Sequence, residues 1–105
     1  MNTISRDSTF DLYTVDAEGD AKILDCSVWA GGSVEVGAAL TMALYGCNYE
    51  NPVGRTFKQM YDEDGVAIQI VASAAGVWML PSSMYGAKWM KLVGTETEVA
   101  LHRKG

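Results

Sequence analysis

Residues 57–72 read FKQMYDEDGVAIQIVA, and this stretch decides the fold. A short strand, 57–61, leads into Asp62-Glu63-Asp64-Gly65. The Asp64-Gly65 pair suits the positive φ angles of a tight hairpin. On its far side Val66, Ile68 and Ile70 alternate with polar or small residues, Gln69 pointing the opposite way. A period of two over a short span is the signature of a half-buried strand. The stretch therefore predicts two strands joined by a charged turn.

The same pattern continues outward in both directions. Downstream, 73–76 is a turn of small residues and 77–80 a strand ended by Pro81. Residues 81–86 form a single helical turn, since Pro is tolerated at a helix start. Residues 88–93 read as a strand with Trp89 and Met90 on opposite faces. A turn at 94–97 precedes a last strand at 98–103, with Val99 and Leu101 on one face. Upstream, 46–55 is a loop rich in Asn, Pro and Gly. Before it, 39–47 places Leu40, Met42 and Leu44 on one face and Thr41, Ala43 and Tyr45 on the other. Residues 33–36 and 22–29 are two more strands, divided by a turn at Gly31-Gly32. The count is about seven or eight short strands at near-regular spacing, with no stretch long enough for an amphipathic helix. The expectation is an all-β chain folded as an antiparallel β-sandwich or jelly roll. Residues 1–20 lack clear periodicity. They are expected to form an N-terminal arm, with a short strand at 9–15, ahead of a sandwich domain at 21–105.

At 105 residues the chain suits one domain. Such a domain has a thin margin of stability, which oligomerisation cheaply widens. No apolar run approaches the roughly 20 residues of a membrane-spanning helix. The polar, acidic start lacks the basic and apolar regions of a secretory signal, an expectation of assembly in the cytoplasm of the producing cell. The net charge of −5 is uneven, acidic in the first quarter and basic near the end. Opposed segments of this kind can attract one another between copies. Nothing resembles the dense basic face that nucleic acid requires.

The residues that usually carry chemistry are sparse. His102 is the sole histidine and lies in a strand, without a GxSxG elbow elsewhere. Residues 62–65 are too short for an EF-hand and read as a charged hairpin tip. Cys26 and Cys47 lie far apart among apolar residues, as free buried thiols do. Gly31, Gly32 and Gly37 lack phosphate-loop spacing. No catalytic residue, metal or cofactor is expected. Trp29, Trp78 and Trp89, with Tyr45, Tyr49, Tyr61 and Tyr85, fill a core or form a sugar-stacking platform. Six methionines suit adaptable packing at a core or a partner surface.

From Ala39 to the end the order of elements resembles a β-sandwich domain of tailed-bacteriophage structural proteins. The elements are Leu44-Tyr45-Gly46, the hairpin from Phe57 to Gly65, and Ile68-Gln69-Ile70-Val71. They continue with Leu80-Pro81-Ser82-Ser83-Met84-Tyr85-Gly86, Lys88-Trp89-Met90-Lys91-Leu92, and the closing run from Val99 through Arg103-Lys104-Gly105. The 46–55 loop is longer than in the pattern, and the first 38 residues match it loosely. The resemblance implies a jelly-roll fold and a place in the virion as a capsid decoration, or cement, protein. Such proteins sit on the outer shell, commonly as trimers, and bridge capsomers. The implied partners are the major capsid protein and further copies of the chain. Contacts are expected at Phe10, Leu12, Tyr13, Trp29, Tyr49 and Tyr85. The alternative is a carbohydrate- or surface-binding sandwich module, free or carried on a phage tail or fibre.

Overall fold

The computed structural model describes residues 8–16, 22–27 and 29–104. They form two antiparallel sheets packed face to face. The strands are β1 (Ser8–Val15), β2 (Leu24–Asp25), β3 (Gly31–Val36), β4 (Leu40–Cys47), β5 (Lys58–Gln59), β6 (Gln69–Ala72), β7 (Gly76–Met79), β8 (Trp89–Val93) and β9 (Thr97–Lys104). A 3-10 helix, Ser82–Gly86, joins β7 to β8. One sheet has the order β1-β9-β3-β7. The other has the order β2-β8-β4-β5, with β6 also paired to β4. The expected β-sandwich is present, with nine strands described rather than seven or eight.

Alternation places the core. In β9, Val99 and Leu101 turn inward while Glu98 and His102 turn out. Tyr13, Val15, Val34 and Val36 join them from the same sheet. Met42, Leu44, Met90, Leu92 and Ile70 meet them from the other sheet, and Met84 of the 3-10 helix completes the cluster. Three of the six methionines, Met42, Met84 and Met90, are thus fully buried fillers. Cys26 and Cys47 are free and buried.

The N-terminal expectation needs correction. The strand expected at 9–15 exists, but it is not part of an arm. It pairs with β9 along its whole length, from Ser8 opposite Lys104 to Val15 opposite Thr97. Tyr13 and Val15 are completely buried. The sandwich therefore begins at residue 8 and not at 21, because β9 needs a partner on that edge. Residues 1–7 and 17–20 of the expected arm lie outside the described residues.

Two local readings also change. Gly31 and Gly32 belong to β3 rather than to a turn, paired with Lys104 and Arg103. The charged hairpin leaves the sheet instead of extending it. β5 and β6 occupy successive stretches of one edge of β4, Tyr45 facing Gln59 and Ala43 facing Gln69. At the branch the Gln59 side-chain amide points at the carbonyls of Leu44, Met60 and Ile68, 2.8–3.3 Å away. Each of those carbonyls also accepts a backbone N–H, Leu44 from Met60, Met60 from Ile68 and Ile68 from Leu44, at 2.9–3.1 Å. The amide uses their second lone pairs and so ties the three strands together at the branch. At the tip, Asp62 Oδ1 accepts from the backbone N–H groups of Asp64 and Val66, both at 2.9 Å. That fixes the turn, with Gly65 at φ +78°.

Candidate functional site

Strand register builds the first candidate surface. Residues that share a face in neighbouring strands form rows across the sheet. On the outer face of the β1-β9-β3-β7 sheet, one row runs Phe10, His102, Ser33, Met79. The next runs Leu12, Ala100, Glu35, Val77. Phe10 is 64% exposed, Leu12 58%, Val77 57% and Met79 69%. Single exposed apolar side chains are ordinary, but four in two adjacent rows of one sheet are not. The large apolar groups stand on the two outer strands, β1 and β7. His102, Ser33, Glu35 and Ala100 form the spine between them.

The predicted contacts divide accordingly. Phe10 and Leu12 lie together on this face. Tyr13 does not, and its assignment as a contact is corrected: it is the next residue along a strand, so it points into the core. Its hydroxyl donates to the Lys22 carbonyl at 2.7 Å and accepts from Leu92 N–H at 3.0 Å. Burial raises its pKa to about 12. Tyr13→Phe leaves the Leu92 N–H buried without that acceptor. The expected cost is about 1–3 kcal/mol, read by urea denaturation. An unchanged midpoint would mean that water replaces the hydroxyl.

Trp29 and Tyr85 are half-buried at one end of the sandwich, around Arg103. The Arg103 guanidinium lies 5.4 Å from the centre of the Trp29 ring. It donates to the Asp25 carbonyl at 2.6 Å and to Asp11 at 3.0 Å. Lys22 also pairs with Asp11, at 3.0 Å. The Tyr85 hydroxyl donates to the Gly31 carbonyl at 2.9 Å, and burial pushes its pKa up to about 12. Burial likewise pushes the Cys26 thiol up to about 11, far from a nucleophilic thiolate. These groups are spent on holding the end of the sandwich.

Tyr49 lies elsewhere, in the 48–56 loop beyond β4. Its ring carries the Arg55 guanidinium 3.9 Å from its centre. Its carbonyl accepts from the Trp89 indole at 3.0 Å, which ties the loop to β8. Phe57 and Cys47 are buried nearby but outside the main core cluster, Phe57 under the Lys91 ammonium at 4.6 Å. Between this loop, the 60–66 hairpin and the 3-10 helix opens a cleft of about 880 Å³. Tyr49, Arg55, Lys58, Tyr61 and Glu63 line its walls.

The tryptophans do not make one platform. Trp78 packs partly on the core and donates to the Ala74 carbonyl at 3.0 Å, while Trp89 belongs to the opposite sheet. Val77, Met79 and Arg55 are not among the expected contacts, and Tyr61 is expected only as one ring of a sugar-stacking platform. The run Val77-Trp78-Met79 held the signal for the first two, because a wholly apolar edge strand must turn some apolar side chains outward. Among the described residues no three His, Cys, Asp or Glu side chains gather as metal ligands do. No helix there is long and apolar enough to cross a membrane. Comparison with family models, with curated proteins and with solved structures found no match.

Proposed function

We propose that this protein is an assembly subunit of a tailed-phage virion, a capsid decoration protein that trimerises and bridges capsomers on the outer shell. The observation that carries the reading is the outer face of the β1-β9-β3-β7 sheet. Its apolar pairs sit at opposite edges, Phe10 and Leu12 on β1, Val77 and Met79 on β7. A contact between unlike edges closes into a ring if the rotation permits. In a cyclic trimer Phe10 and Leu12 of one copy cover Val77 and Met79 of the next. The charges on this face, Glu35, Glu98 and Lys104, stand on the two middle strands β3 and β9, away from the apolar pairs at the edges. The virion assignment itself rests on the resemblance over residues 39–105. Shell stabilisation fits the same design, since a trimer makes three weak shell contacts count as one strong one.

Charge at either edge tests the contact. Leu12→Glu and Val77→Glu should each give monomers in sedimentation equilibrium while the thermal melt shows a folded chain. Tyr49→Ala, on the other sheet's loop, should stay trimeric. Trimers that survive both glutamates contradict the proposed interface. Cosedimentation with heads of the encoding phage reads the shell contact. Symmetric copies on the heads support it, and a trimer that the heads exclude overturns the capsid assignment.

A further inference from the structure

We propose that the cleft between the 48–56 loop and the 60–66 hairpin binds a pyranose sugar. This is a second site, independent of the assembly face. The volume of about 880 Å³ lies within the usual range of small-molecule sites, about 300–1,000 Å³. Tyr61 is 62% exposed, and its ring has no cation stacked on it among the described residues. The apolar C–H face of a pyranose packs against such a ring.

The polar groups fit hydroxyls better than a net charge. Arg55 is pre-positioned on Tyr49, and its guanidinium makes no hydrogen bond among the described residues. Its donors, and those of Lys58, are therefore free for a ligand. Glu63 supplies acceptors, as does the second carboxylate oxygen of Asp62, whose Oδ1 is held by the turn. A cationic ligand would meet Arg55 and Lys58, and an anionic one would meet Asp62 and Glu63. A sugar hydroxyl donates and accepts at once, so it uses both sets. Gly46 contributes to the cleft's lining, where a Cβ would come within 2.9 Å of the Met60 sulfur. The lining is thus already packed close and leaves the opening to the rim residues.

Ligand-detected NMR on the full chain tests the site, with methyl β-glucoside, methyl β-galactoside, N-acetylglucosamine and the corresponding disaccharides as probes. At least one should bind saturably in the millimolar range, and Tyr61→Ala and Arg55→Ala should each weaken it by about tenfold. Both residues are exposed, so the melting temperature should not move. Leu12→Glu should leave sugar binding intact, which separates this site from the assembly face. No saturable binding at about 10 mM would overturn the proposal. So would binding that both cleft variants retain. An extended peptide that saturates these residues while no sugar does would replace the sugar with a protein partner.

Discussion

Gly32→Ala is expected to cost at least about 3 kcal/mol, a large share of the roughly 5–15 kcal/mol that holds a domain together. Gly32 sits in β3 opposite Arg103, at φ +151°. A Cβ there would overlap the His102 carbonyl oxygen and stand 2.9 Å from the Arg103 Cα. Both are backbone atoms of a central strand, so no side-chain rotation relieves the clash. Either β3 or β9 must move, and β9 also carries β1. Gly31 is the internal control. A Cβ at that position meets nothing within 4 Å. Gly31→Ala should change stability by no more than about 0.5 kcal/mol. Urea denaturation of the two variants side by side reads the difference. Equal midpoints would mean that the β3–β9 pairing is looser than described.

Asp11→Asn is expected to cost about 3 kcal/mol at neutral pH, because it leaves the buried Arg103 cation without its carboxylate. Arg103 is 6% exposed, and its Nε has no hydrogen-bond partner among the described residues. The Asp11 bond at 3.0 Å and the Asp25 carbonyl supply its known compensation. The pH dependence follows from the same contacts. Burial raises the Asp11 pKa, but hydrogen bonds and charge from Lys22 and Arg103 outweigh it and hold the carboxyl below its ordinary value of 3.8. A depressed folded-state pKa adds stability that is full above the unfolded value and is lost as pH falls through the folded one. The gap between the unaltered chain and Asp11→Asn should therefore be widest near neutral pH and shrink below the ordinary carboxyl range. A gap that persists undiminished in acid would assign the loss to packing instead of charge.

β1 shows why the fold was legible and the site less so. The sequence STFDLYTV has apolar residues at 10, 12, 13 and 15, so both faces of a strand read as apolar. Alternation finds the strand but does not choose which face is the core. The inward face includes Asp11, which looks like a surface residue until Arg103 and Lys22 meet it from elsewhere in the chain. Tyr13 follows Asp11 inward, and Phe10 and Leu12 are left outside. The same ambiguity hid Val77 and Met79. By sequence the Gly31-Gly32 pair reads as a turn, because glycine pairs usually make turns. The close approach of β9 that requires it is a contact across some seventy residues, beyond any local pattern. The 62–65 hairpin was legible because its chemistry is local, Asp62 fixing a turn three residues long. Tyr49, Arg55 and Tyr61 share a cleft only because the hairpin leaves the sheet at Gln59, a branch that no periodicity announces.

Light scattering coupled to size exclusion, on the unaltered chain at micromolar concentration, tests the central claim most directly. The account predicts a single species at three times the 11.3 kDa of one chain. A clean monomer would contradict it, leaving Phe10, Leu12, Val77 and Met79 as exposed side chains without an assembly to cover them.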